Sequence, residues 1–204
     1  GPSEEKEVSI ATGRAVIKAC VKNGFTATEF KFNSNYKKYL KELKKQNIIF
    51  NALHGGIGEN GKIQEWLDEN DIKYTGSGAI ASSLCMDKAK CKEIAKKNGI
   101  ETPDWQLIQK ANQVVKISLP FVVKPNDQGS TVGLSIVNND QLIQPAIDQA
   151  FKHGDKVIIE KYISGRELTI PIIDKDTYPI VEINPSNNYY DYECKYTPGM
   201  SEYS

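Results

Sequence analysis

The chain has 204 residues, enough for one or two domains and a sizeable buried core. Its 26 Lys and Arg balance 26 Asp and Glu, which argues against nucleic-acid binding through overall positive charge; 39% hydrophobic and 25% charged residues argue against a disordered chain. The longest apolar runs, such as residues 119–123 and 157–159, fall far short of the roughly 18 residues a membrane span needs.

Val8, Ala11, Ala15 and Ala19 predict a helix that stops near Gly24. Residues 48–53 read as a buried strand running into His54-Gly55-Gly56, residues 63–69 as a short helix, and residues 74–78 as a strand end and turn. This alternation predicts an open parallel sheet with helices, a fold that places ligands beyond the carboxyl ends of its strands. A second region begins near Ser82. Residues 87–98 predict a Lys-rich helix closed by Gly99, with Pro103 supporting the stop. Residues 119–124 and 132–137 read as strands. Residues 140–153 form an amphipathic helix with Leu142, Ile143, Ala146, Ile147, Ala150 and Phe151 on one face. Residues 157–162, 167–173 and 178–183 read as further strands, several too close in sequence for parallel crossovers, so antiparallel pairing is expected. The expected architecture is an α/β domain followed by an α+β region. The glycine-led start at Gly1-Pro2 and the stretch ending at Ser204 without a closing element both read as cut ends.

The four cysteines (20, 85, 91 and 194) form no Cys-x-x-Cys, and His54 and His153 lie far from all of them, which argues against a zinc site. No charged-then-apolar leader is visible, so reduced thiols in the cytoplasm are the expectation.

Five segments could carry chemistry. In Lys124-Pro125-Asn126-Asp127-Gln128-Gly129-Ser130-Thr131-Val132-Gly133, a glycine-rich, hydroxyl-bearing loop follows a strand that ends in a lysine. Such a loop can aim N–H groups at phosphate, yet it lacks the Walker order and would also serve as a plain hairpin turn. Residues 157–163 carry Glu160, Lys161 and Ile163 at a strand exit, with Glu167 after Gly165-Arg166. They could read an adenine edge and ribose hydroxyls, or be solvated strand charges. His54 opens a run with four glycines in eight residues, suited to close backbone approach, although a lone histidine can equally be structural. Met86-Asp87-Lys88 opens a helix that Asp87 could cap, with Lys88 either facing an anion or solvated. Residues 189–196 alternate tyrosines with charges, as a functional loop or an aromatic edge strand would.

In this order, the segments resemble the D-alanine–D-alanine ligases of the ATP-grasp superfamily over essentially the whole chain. The opening residues 3–9 look like that family's first glycine-rich loop, with Lys6 where Arg is usual; Thr131 stands where a second Ser is common. The resemblance implies a substrate-binding α/β domain over 1–82 with an open parallel sheet and a central ATP-grasp subdomain over 83–160. Residues 161–204 would start the C-terminal ATP-grasp subdomain, incomplete here but including a mobile loop. It implies that Lys88 and Lys124 hold ATP phosphates together with the Ser130 and Thr131 loop, that Glu160, Lys161 and Ile163 hold adenine, that Glu167 holds ribose, and that Lys195 approaches the γ-phosphate. It further implies that Glu5, His54 and Tyr190 bind D-alanine, Glu5 through the ammonium group, and that Glu5, Ser130 and Tyr196 form a hydrogen-bonded trio closing the site. Tyr196 favours the dipeptide over a D-alanyl-D-lactate ester.

The implied reaction joins two D-alanines through an acyl phosphate for peptidoglycan synthesis, hence cell-wall biogenesis and cell shape. The implied partners are ATP, Mg²⁺, D-alanine and a second copy of the chain, with no nucleic acid and no membrane. The family's magnesium ligands lie in a later segment, so no metal ligand is expected within these 204 residues. Ser204 is then not expected to be the natural terminus, nor the chain to turn over alone. Two alternatives stay open: a non-catalytic nucleotide-binding ATP-grasp fragment, and a D-alanyl-D-lactate-type ligase.

Overall fold

A computed structural model describes residues 3–187 and 189–204 of the chain; Gly1 and Pro2, the glycine-led start, lie outside the described residues. The chain divides into two compact units, residues 1–91 and 92–204. Among the described residues no helix is long and apolar enough to cross a membrane.

The first unit holds helices α1 (Lys6–Lys22), α2 (Leu40–Leu43), α3 (Lys62–Asp68) and α4 (Ala79–Met86), and the start of α5 (Lys88–Lys97). Its core joins Leu43, Ile63, Trp66, Leu67 and Ile72, with the Tyr36 ring edge-on to Trp66 at 5.0 Å. The expected open parallel sheet is not formed among the described residues: a single parallel bridge, Ile49 to Tyr74, is its only element. A parallel ladder needs both faces covered, whereas Ile48 and Phe50 stand 57% and 50% exposed. They lie by a cleft of about 1140 Å³ between α1, residues 24–32 and residues 46–53.

Helix α1 appears where the apolar period placed it, but on a different face. Ala11, Ala15 and Ala19 are exposed, and the helix turns Ser9, Thr12, Gly13, Val16 and Ile17 inward. A Cβ on Gly13 would touch that of Ala52 at 3.7 Å, so small side chains on this face let the 52–54 segment come close. Helix α4 was not expected from the sequence. Asp87 ends it and also caps α5, accepting from the Lys90 N–H at 3.1 Å.

The second unit is built on a four-stranded sheet of β1 (Trp105–Ile108), β2 (Phe121–Pro125), β3 (Ser135–Val137) and β4 (Val157–Lys161), in the order β1-β4-β2-β3. Helix α6 (Ile143–Phe151) covers it. All pairs in it are antiparallel, as expected. Period-two alternation then gives the sheet two different faces. Ile108, Phe121, Val123, Val137, Val157 and Ile159 pack against Ala146, Ile147 and Ala150 of α6 as a fully buried core. Trp105, Leu107, Val122, Lys124, Ile136, Ile158 and Glu160 occupy the opposite face.

The remainder forms two small antiparallel sheets. One has β5 (Glu167–Thr169), β8 (Val181–Pro185) and β9 (Ser201–Tyr203); the other pairs β6 (Ile172–Ile173) with β7 (Asp176–Thr177). The expected strand over 167–173 is therefore two. The aromatic segment folds into the short helix α7 (Tyr192–Tyr196), because Asp191 accepts from the Cys194 N–H at 2.8 Å and caps it.

Candidate functional site

In the second unit, Lys124 and Glu160 share the face of the large sheet opposite α6. Lys124 pairs across from Ile158, two residues before Glu160 on the same strand, so the two side chains lie diagonally on one face. The Lys124 ammonium donates to Glu160 Oε1, and Lys92 donates to Glu160 Oε2 at 2.8 Å. Burial works to raise the Glu160 pKa, but the charge and hydrogen bonds of Lys124 and Lys92 outweigh it and hold the carboxyl below the ordinary range. Around this ion cluster, the part-exposed Leu107, Val122 and Ile136 make an apolar floor over the buried Ile158. A flat apolar surface edged by fixed charges suits a ligand with an aromatic plane and a polar rim.

Lys92 did not stand out in the sequence, which shows one lysine among several in a helix. Its only signal is position: it lies three residues after buried Ala89, on the inward face of α5.

The glycine loop leaves β2 after Pro125, one residue beyond Lys124. It is anchored below by the Asn126 N–H to the Lys156 carbonyl at 2.9 Å and by the Gln128 amide to the His153 carbonyl at 2.9 Å. Its crest has positive φ at Ser130 (49°), Thr131 (60°) and Gly133 (69°). This conformation costs a residue with a Cβ about 1–2 kcal/mol, and it is held by turn bonds from Val132 to Gly129 and from Leu134 to Thr131. Gly133 is required twice over: its φ is left-handed, and a Cβ there would sit 2.9 Å from His153 Cδ2.

From this crest the Ser130 hydroxyl meets the Tyr196 hydroxyl at 2.8 Å, linking the glycine loop to α7. A second cluster surrounds Tyr190. Its N–H donates to Glu167 Oε1 at 3.1 Å, its hydroxyl pairs with Tyr203 at 2.9 Å, and the Lys195 ammonium lies 5.2 Å from its ring centre. The Tyr203 hydrogen bond, then burial and nearby negative charge, push the Tyr190 pKa to about 12, so Tyr190 remains a neutral phenol.

Lys161 and Ile163 join neither cluster by any hydrogen bond or ion pair among the described residues. The Lys161 ammonium is turned to the Ser118 and Leu119 carbonyls, and Ile163 is mostly exposed.

The first unit brings Glu5 and His54 together. The Ser3 hydroxyl donates to the His54 carbonyl at 2.6 Å, the His54 N–H donates to Ser9 Oγ at 3.0 Å, and the Ser9 hydroxyl donates to the Glu5 carbonyl at 3.1 Å. The Glu5 carboxylate is buried against Gly55, where a Cβ would meet Glu5 Oε2 at 2.6 Å. His54 Nδ1 lies 3.1 Å from the Ala52 carbonyl. A carbonyl only accepts, so Nδ1 is the donor in this contact. Lys88 is the first residue of α5. Among the described residues, no three His, Cys, Asp or Glu side chains are grouped to hold a metal ion.

The family model described as the D-ala D-ala ligase C-terminus matches residues 90–204. The D-alanine–D-alanine ligase of Aquifex aeolicus is 42% identical over the whole chain, which spans 70% of that protein. Two crystal structures of D-alanine–D-alanine ligase from Bacillus anthracis align with the whole chain and 68% of their own length. One has a TM-score of 0.86 at 35% identity; the other, described as complexed with ATP, has 0.83 at 34%. The antiparallel sheets and helices of this chain are an ATP-grasp-like α+β region. On the family match and on these identities, the chain belongs to the D-alanine–D-alanine ligase family of the ATP-grasp superfamily.

Proposed function

We propose that the protein serves the ATP-dependent joining of two D-alanines. In this reading residues 1–82 hold the amino acid, while 83–160 and 161–204 hold ATP. The observation that carries it is the ion cluster of Lys124 and Glu160 on an apolar sheet face, directly followed by a glycine loop tied to Tyr196. The ATP-bound relative supports the same choice of ligand.

The apolar floor takes adenine, and Glu160 accepts from its amino edge. Glu167 accepts from ribose hydroxyls. Lys88, Lys124 and Lys195 neutralise phosphate charge, helped by N–H groups of the 129–133 loop. Glu5 takes the ammonium of the first D-alanine, with His54 beside it. The carboxylate of that D-alanine attacks the γ-phosphorus and ADP leaves. The amine of the second D-alanine then attacks the acyl carbon, loses a proton and expels phosphate. Positioning and cationic stabilisation dominate the first step. The acyl phosphate must be kept from water, which is the task of the Ser130–Tyr196 link. Mg²⁺ would shield phosphate charge when bound, but among the described residues no three His, Cys, Asp or Glu side chains are grouped to hold it.

The test is calorimetric titration of the chain with ATP and with D-alanine. ATP binding lost in Lys124→Ala, and D-alanine binding lost in Glu5→Gln, are expected. Binding of ATP with indifference to D-alanine points instead to a bare nucleotide module. Preference for D-lactate as second substrate would overturn the dipeptide assignment.

A further inference from the structure

The two lysines on Glu160 are not equivalent. Lys92 is buried, and its three N–H groups meet Glu160 Oε2 at 2.8 Å, Thr102 Oγ1 at 2.6 Å and the Pro103 carbonyl at 3.4 Å. An ammonium has three donors, so Lys92 is saturated by the protein and has none left for a ligand. Lys124 is more exposed, and its ammonium bonds Glu160 alone among the described residues. Resting on the reading that Lys124 and Glu160 serve the nucleotide, we propose that Lys92 is a positioning residue that lets Lys124 exchange from the Glu160 carboxylate to a nucleotide phosphate.

When a phosphate draws Lys124 away, Glu160 would become an unpaired, largely desolvated carboxylate. Lys92 prevents this, because it stays on Oε2 through the exchange and keeps the carboxylate charged and aimed. Without Lys92, Glu160 has Lys124 as its only cation and holds it back from the phosphate. The penalty therefore falls on phosphate-bearing ligands, whereas a defect in the sheet would weaken every ligand of the site alike.

The experiment titrates the chain, Lys92→Met and Lys92→Arg with ATP and with adenosine, with Lys124→Ala as control. Lys92→Met is expected to weaken ATP about tenfold or more, the scale of one charge-assisted hydrogen bond. It is expected to change adenosine less than about threefold, and Lys92→Arg is expected to restore ATP affinity. Where Lys92→Met does not fold, Thr102→Val, which loosens Lys92 without removing it, is expected to weaken ATP several-fold with adenosine unchanged. ATP affinity unchanged in these variants, or equal losses for ATP and adenosine, overturns the role of Lys92 while the nucleotide site stands. Failure of the unaltered chain to bind ATP, or full binding by Lys124→Ala, overturns the nucleotide site and this role together.

Discussion

Glu160→Gln removes one negative charge from between two ammonium groups while keeping the side-chain shape. At 2.8 Å and an effective dielectric constant of 20, the Lys92–Glu160 attraction alone is about 6 kcal/mol before desolvation is subtracted. Removing one member of a buried pair typically costs about 3–5 kcal/mol. Here Lys92 keeps Thr102 and Pro103 as partners, so about 2–3 kcal/mol is expected. The assay is hydrogen exchange of β1 and β4, which report the second unit alone and should lose protection about 30–150-fold. Thermal melts follow the pH dependence. The folded pKa of Glu160 lies below its unfolded value of 4.5, so its stabilisation is complete above pH 4.5 and is lost as pH falls through the folded value. The gap in Tm between the unaltered chain and Glu160→Gln, roughly 5–10 °C at pH 7, should close on acidification. A gap that persists unchanged to pH 3, or exchange altered by less than about threefold, would refute the reasoning.

Ile147→Ala should cost about 2–5 kcal/mol in urea denaturation, because Ile147 is fully buried between α6 and the sheet; a loss under about 1 kcal/mol would mean that this contact is not as tight as described. Gly133→Ala should cost about 1–3 kcal/mol through left-handed φ and crowding against His153 and Pro125, and the companion Gly133→Ala/His153→Ala should recover only the part due to crowding against His153. Tyr196→Phe loses a solvent-accessible hydroxyl contact, so stability should move by less than about 1 kcal/mol while ATP affinity falls in calorimetry; unchanged affinity would argue against a closing role for the link to Ser130.

How much was legible beforehand differs by element. The amphipathic pattern of residues 140–153 marked Ala146, Ile147 and Ala150, the residues that α6 buries. Apolar runs in 119–124 and 157–162 marked β2 and β4, and short connections between successive strands, as from β2 to β3, implied antiparallel pairing. Ile48 and Phe50 misled, since an apolar run shows that residues can be buried, not that a partner strand lies beside them. Helix α4 was missed because Ala-Ile-Ala-Ser-Ser-Leu after a glycine turn carries little periodicity. Glu160 and Lys124 were marked singly, 36 residues apart, with nothing local to pair them.

The sequence by itself determined the sheet-and-helix core of the second unit, because that core rests on local spacing and residue type, and the resemblance of its segments pointed to the family. Only the tertiary structure decided that Lys92 joins Lys124 on one carboxylate; the Ser130–Tyr196 contact across 66 positions had been expected from the family resemblance, not from any local pattern. The physical reason is that strand register and helix packing bring together residues whose separation along the chain carries no trace of their proximity, and it is proximity that gives charges and hydroxyls their energies.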